Sequence, residues 1–223
     1  MGKLILGIDD AGRGPVIGPM LLAGCLVRES VERELRTLGV KDSKQLTQKR
    51  REFLEKIIKE KSESFEVVVL YPEEIDAKNA EGIKLNELEA LAAAKIINTL
   101  NTGKEKIKVI LDCPSVSINN WREFLRLQIE NLSNLEVVCE HEADRNHAAV
   151  SAASILAKSE REREMARLKK IYGEEIGSGY SSDPQTKKFL EKNVKNHNNK
   201  GIFRKTWSTW KKANSNSEQK KLF

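Results

Sequence analysis

Residues 3–15 read Lys-Leu-Ile-Leu-Gly-Ile-Asp-Asp-Ala-Gly-Arg-Gly-Pro. An apolar, β-prone run from Lys3 to Ile8 meets two adjacent acids, Asp9 and Asp10, and then a glycine turn, Gly12-Arg13-Gly14. The run predicts a strand, and Met20 to Val27 predicts a second beside it, because only a turn lies between them. Neighbouring side chains on a regular strand point to opposite faces, so Asp9 and Asp10 face one site only if the strand bends or ends there. A single Asp after a strand is most often a turn former or helix cap; two together carry a cost that a counter-ion would offset.

Outward from this stretch, Ser30 to Leu38 and Thr47 to Lys61 have helical spacing, with Thr47 as N-cap of the second. Phe65 to Tyr71 predicts a third strand, stopped by Pro72. Leu85, Leu88, Ala92, Ile96 and Leu100 mark an amphipathic helix, and Trp121 to Ile129 another. Ile107 to Leu111 and Leu135 to Cys139 are apolar strands, and a long helix is expected from about Asp144 to Tyr172. Three early strands followed by two more separated by helices predict an α/β domain with a mixed sheet. Asn214 to Gln219 is polar and unstructured in character.

The chain has 223 residues, 39% hydrophobic and 32% charged, which suits a globular protein and excludes a disordered one. No apolar run approaches the roughly 18–20 residues of a membrane span, and no signal peptide is expected, so a cytoplasmic protein without membrane contact is predicted. Cys25, Cys113 and Cys139 have no CxxC spacing, which argues for reduced core cysteines and against zinc. The net charge of +6 is uneven: residues 185–223 hold 11 Lys or Arg against 2 acids, while the rest is slightly acidic. That distribution suits a phosphate backbone, although a solvated basic tail has the same composition.

The acids that end apolar segments are Asp9, Asp10 and Asp112, with Asp144 four residues past Glu140. In α/β sheets, sites gather where strands stop pairing. Carboxylates converging from separate segments repel unless cations neutralise them, and hard ions such as Mg²⁺ or Mn²⁺ are the natural partners of oxygen ligands. The Gly12-Arg13-Gly14 turn would bring backbone N–H groups close to a sugar or phosphate; a Walker loop is excluded because no GKS or GKT occurs.

Several motifs join these residues: GIDDAGRGPVIGP at 7–19, KDSKQL at 41–46, LDCPS at 111–115, EHEAD at 140–144 followed by VSAASILAK, and GSGYSSDP at 177–184. Together they resemble type 2 ribonuclease H in its archaeal form, and Arg-Lys-Thr-Trp-Ser-Thr at 204–209 is similar to that form's C-terminal helical segment. The resemblance implies an RNase H-like α/β fold, a mixed five-stranded sheet flanked by helices. It divides the chain into a catalytic domain at 1–173, a helical substrate-binding segment at 174–212 and a flexible basic tail at 213–223. The implied activity is endonucleolytic hydrolysis of RNA in RNA–DNA hybrids and cleavage 5′ of single ribonucleotides in duplex DNA, as in ribonucleotide excision repair. Products would carry 5′-phosphate and 3′-hydroxyl ends. Asp9, Asp10, Asp112 and Asp144 would hold a pair of Mg²⁺ or Mn²⁺ ions for in-line attack by water. Gly12, Arg13 and Gly14 would sense the ribose 2′-hydroxyl, and Tyr180 would stack on the next sugar. Lys44 in KDSK reads as a phosphate contact, with a solvated helix-edge lysine as the alternative.

Two residues depart from the family pattern: Asp10 stands where glutamate is usual, and Ser181 where proline is, which should loosen the loop carrying Tyr180. His141 and His147 read as surface or packing residues, with a proton-shuttle role for His147 as the alternative. Trp207 and Trp210 suit either stacking on nucleic acid or packing of the last helix. Gln219, Leu222 and Phe223 resemble a truncated sliding-clamp box. The protein is expected to be a monomer. The competing classes are a DNA-specific nuclease of the same fold, which would not need Gly12–Gly14 and Tyr180, and a nucleic-acid-binding module with a decayed site.

Overall fold

β1 (Leu4–Ala11) pairs antiparallel with β2 (Met20–Arg28) and parallel with β4 (Ile107–Asp112), which pairs parallel with β5 (Leu135–Glu140). With β3 (Ser64–Leu70) beside β2, the sheet order is β3-β2-β1-β4-β5, the mixed five-stranded sheet that the sequence predicts. The structure is a computed structural model describing residues 2–40, 46–198 and 200–219, with the backbone alone at Glu218 and Gln219.

Helices α1 (Glu29–Thr37), α2 (Gln48–Lys61), α3 (Pro72–Ala80), α4 (Leu85–Leu100) and α5 (Ile118–Arg126) connect the strands. Then come α6 (Ala143–Asn146), α7 (Ala148–Tyr172), a short 3₁₀ turn at Glu174–Ile176, α8 (Pro184–Asn193) and α9 (Ser208–Gln219). Thr47 caps α2 as expected, its hydroxyl accepting from the Arg50 N–H at 3.3 Å. Among the described residues, no helix is long and apolar enough to cross a membrane.

The chain forms two compact units. The first comprises Met1–Ala11, Leu21–Val68 and Asn86–Ser159. In it, Ile5, Ala11, Ala23, Cys25 and Ile110 bury against Leu35 of α1, Leu54 and Ile58 of α2 and the small-residue run Ala148–Ala157 of α7. Gly7 permits this approach: a Cβ there would lie 2.1 Å from the backbone carbon of Ala149. Cys25, Cys113 and Cys139 are free and buried, and burial pushes the Cys25 and Cys139 thiols up to about 12.

The second unit comprises Gly12–Met20, Val69–Leu85 and Glu160–Phe223. Its core holds Val16, Ile17, Met165, Leu168, Phe189, Leu190 and Phe203, and Trp207 and Trp210 pack against it, so both indoles serve packing. These units partition the chain differently from the linear division at 173 and 212. The reason is local: the Val16 and Ile17 N–H groups donate to the Gly179 carbonyl, and the Arg204 N–H donates to that of Val16. Residues just after β1 are thereby held with residues far along the chain.

Three local expectations are corrected and one is extended. Strand β1 does not end at Ile8; Asp9 and Asp10 pair with Ala23 and Leu22 in full register. Pro72 stops β3 as expected and also opens α3, where as first residue it needs no N–H partner. Asp144 does not open the long helix: it sits in α6, and the extended His147 (φ −123°, ψ 116°) separates α6 from α7. Asn214–Gln219, expected to be unstructured and assigned to a flexible tail, continue α9.

Candidate active site

The first unit carries the acids. Asp9 and Asp10 lie near the end of β1, and Asp112 ends β4 next to it. Alternation along β1 sends Asp9 toward α7, where it has a hydrogen bond with Ser154, and Asp10 to the other face. The backbone N–H of Asp10 donates to Asp9 Oδ1 at 2.7 Å. Asp9, Asp10 and Asp112 line one narrow cleft with Pro114, Trp121 and Glu89 of α4.

Asp9 is only 7% exposed. Burial first, then the charges of Asp10 and Asp112, hold its carboxyl well above the usual carboxylate range, against the opposing effect of its hydrogen bonds. Among the described residues, no group of three or more His, Cys, Asp or Glu side chains stands ready-made to hold a metal ion.

Asp144 is buried at 4% exposure but is not among the residues lining that cleft. Two backbone features fix it. Glu142, which precedes α6, has φ 55° and ψ 36°, the left-handed region that a non-glycine residue rarely occupies. One residue later the Ala143 N–H donates to Asp112 Oδ1 at 3.0 Å, tying the start of α6 to the end of β4. The Asp144 carbonyl in turn accepts from the Ser151 hydroxyl. His147 Nε2 lies 3.0 Å from Glu140 Oε2, and His141 Nδ1 lies 3.1 Å from the Cys113 carbonyl, so each imidazole has a structural partner.

Glu89 is the residue that sequence reasoning missed. It is 2% exposed and sits in the arc of α4 that also buries Leu88, Ala92, Ala93 and Ile96. A carboxylate inside an apolar helical arc is the signal that would have found it.

The second unit carries the turn and the tyrosine. Gly12 has φ +78°, and a Cβ there would meet the Arg161 side chain at 2.5 Å, so both backbone and neighbours demand glycine. Gly14 is exposed, with Tyr180 Cε1 3.7 Å from where its Cβ would stand. The Arg161 guanidinium stacks over the Tyr180 ring at 4.9 Å and donates to the Ser178 carbonyl. Gly12, Arg13, Gly14 and Tyr180 therefore stand together. Despite Ser181, the loop is closed around the tyrosine: Ser178 N–H donates to Asp183 Oδ2 at 2.7 Å, and Gly179 N–H to Thr186 Oγ1 at 2.9 Å. Lys44, Leu222 and Phe223 lie outside the described residues, as does the side chain of Gln219.

A sheet in this order, with acids at the ends of adjacent parallel strands, defines a hydrolase of the ribonuclease H class. The family model described as Ribonuclease HII matches residues 6–210, and the chain belongs to that family. The ribonuclease HII of Methanococcus maripaludis strain C7 is 44% identical over all of this chain and 92% of its own length. The crystal structure of the ribonuclease H2 from Pyrococcus horikoshii OT3 superposes with a TM-score of 0.86 at 37% identity, covering 96% of this chain and 98% of that one. RNase HII from Archaeoglobus fulgidus, solved in a complex with PCNA, superposes with a TM-score of 0.80 at 39% identity, covering 92% and 95%. The chain is accordingly an endonuclease that degrades the RNA of RNA–DNA hybrids.

Proposed function

We propose that the chain also cuts 5′ of single ribonucleotides embedded in duplex DNA, with Asp9, Asp10, Asp112 and Asp144 as the carboxylates of the reacting centre. The observation that carries this reading is the convergence of Asp9, Asp10 and Asp112 on one cleft although β1 runs straight through its two acids. The donors are all carboxylate oxygen, the ligand type of Mg²⁺ and Mn²⁺. The repulsion that raises the Asp9 carboxyl is what such cations would offset. Bst-RNase HIII, which shares this fold, has been solved in complex with Mn²⁺. When bound, a pair of divalent ions supplies water activation and stabilisation of the leaving oxygen, which suits 5′-phosphate and 3′-hydroxyl products.

The chain's own groups divide the remaining work. Ser154 and the Asp10 N–H orient the Asp9 carboxylate, and the Ala143 N–H orients that of Asp112. Backbone groups of Gly12–Gly14 read the ribose 2′-hydroxyl, which alone separates RNA from DNA at a given sugar. Tyr180, 39% exposed and braced by Arg161, offers a face for the adjoining sugar. Lys44 is proposed at phosphate. Gln219, Leu222 and Phe223 are proposed to bind a sliding clamp, a reading supported by the PCNA complex of the Archaeoglobus relative.

The test is cleavage of a labelled duplex containing one ribonucleotide, beside an all-DNA control, in Mg²⁺ and in Mn²⁺. A single cut 5′ of the ribonucleotide is expected, and cleavage of the control at the same rate overturns the reading. For the clamp, Leu222→Ala with Phe223→Ala in the full chain is expected to abolish binding to purified PCNA.

A further inference from the structure

Arg204 is 0% exposed, one of the largest side chains fully buried in this structure. Burying a guanidinium is expensive unless its donors are satisfied by well-placed acceptors. Here the acceptors belong to a single loop. Nε donates to the Gly18 carbonyl at 3.0 Å, Nη1 to that of Arg13 at 2.7 Å and Nη2 to that of Gly12 at 2.6 Å. The Arg204 N–H takes the Val16 carbonyl at 2.9 Å. Trp207 completes the set: its ring lies 5.0 Å under the guanidinium carbon, and its Nε1 donates to the Gly14 carbonyl at 3.2 Å.

The consequence follows from the planar trans peptide. The carbonyl of one residue and the N–H of the next point in opposite directions, and among the described residues no peptide bond is cis. Drawing the Gly12 and Arg13 carbonyls onto Arg204 turns the Arg13 and Gly14 N–H groups away from it. The carbonyl of Gly14 goes to Trp207, and the residue that follows, Pro15, has no N–H to present. The loop therefore shows two adjacent backbone donors on the side opposite the buried arginine.

We propose that Arg204, with Trp207, is the positioning residue for ribose recognition, fixing the Gly12–Gly14 peptides so that their N–H groups face the 2′-hydroxyl. This rests on the reading that the Gly12–Gly14 turn senses that hydroxyl. A lysine at 204 keeps the charge but not the planar fork that reaches three carbonyls. Trp207→Phe keeps a ring under the guanidinium and removes only the bond to the Gly14 carbonyl.

The experiment measures Kd for a duplex with one ribonucleotide and for the all-DNA duplex, in Ca²⁺ to suppress cleavage, with melting temperature recorded for each variant. Arg204→Lys and Trp207→Phe are expected to lower the ratio of the two affinities, by about tenfold for Arg204→Lys, since small displacements of a recognition group carry effects of that order or more. If Arg204→Lys fails to fold, Trp207→Phe decides alone. Equal weakening toward both duplexes, or no change, overturns the proposal. Gly14→Ala separates the two failures, because it adds a methyl at the turn without touching Arg204. If it lowers the ratio and the Arg204 and Trp207 variants do not, the positioning role alone is wrong; if it leaves the ratio unchanged, the ribose reading falls and this proposal with it.

Discussion

Asp9 is held at odds with its own charge. Its folded-state proton affinity is raised above the ordinary value of 3.8, by burial and by Asp10 and Asp112. A carboxyl shifted in this direction costs stability that is absent below the unfolded value and accumulates as the pH rises through the folded one. Without divalent cations, Asp9→Asn is therefore expected to melt several degrees higher than the parent at pH 8, with the difference shrinking toward pH 4. In Mg²⁺ the same variant is expected to lose cleavage by on the order of a thousandfold or more, because the metal contribution is worth several kcal/mol. Calorimetric melting in EDTA and turnover in Mg²⁺ check the two halves; a lower melting temperature in EDTA would show that Asp9 is not strained. Asp9, Asp10 and Asp112 were legible in the sequence because each follows an apolar run, and Asp144 because it stands four residues past Glu140 in the EHEAD motif. Glu89 was passed over because it lies inside a regular helix beside Glu87 and not at a strand end, and its mark is its place in the apolar arc of α4. Glu89→Gln is expected to raise the Mn²⁺ concentration needed for half-maximal binding by about three- to tenfold, from the loss of a nearby charge at an intermediate effective dielectric. Isothermal titration with Mn²⁺ alone measures it.

At the scale of elements, what the sequence shows depends on whether a boundary has a chemical mark. Helix α4 was predicted at Leu85–Leu100 because its apolar spacing is regular. The break between α6 and α7 was hidden because Ala-Asp-Arg-Asn-His-Ala-Ala contains neither Gly nor Pro; it is set by the Ala143–Asp112 bond and the backbone at Glu142. Helix α9 was hidden because Asn and Ser have poor intrinsic helicity, and tertiary contacts such as the Lys195 Nζ bond to the Ser217 carbonyl support it. The Tyr180 loop depends on a capping residue that does two jobs. Asp183 accepts the Ser178 N–H across the loop and the Gln185 N–H at the start of α8, and these bonds, that to Ser178 foremost, hold its carboxyl down at about 2. A depressed carboxylate lends its stabilisation above the unfolded value and loses it as the pH falls through the folded one. The melting-temperature gap between the parent and Asp183→Asn is thus expected to close between about pH 4 and pH 2. At pH 7, Asp183→Ala is expected to speed amide hydrogen exchange at Ser178 and Gly179 ahead of the sheet. Exchange that rises uniformly would instead mean that the loop is not held locally.

For the molecule as a whole, the informative quantity is where the positive charge sits and which of it is free to meet a phosphate. The basic excess of residues 185–223 was plain in the composition, but composition does not say which cations are committed elsewhere. Arg204 is buried on the carbonyls of Gly12, Arg13 and Gly18, and Lys195 is bonded to the Ser217 carbonyl, so neither belongs to an open footprint. Lys187 of α8 and Lys212 of α9 instead line one groove with Ser208, Thr209 and Glu191, two cations against one acid. Each phosphate that a lysine neutralises releases a counter-ion and steepens the dependence of affinity on salt by roughly 0.9 in log–log slope. Lys187→Gln with Lys212→Gln is therefore expected to weaken hybrid binding at low salt and flatten that slope by about 1–2, with catalysis at saturating hybrid unchanged. Fluorescence anisotropy across a salt series measures it. A slope equal to that of the parent would place the phosphate contacts away from the α8–α9 groove, on basic residues of the first unit or beyond Gln219.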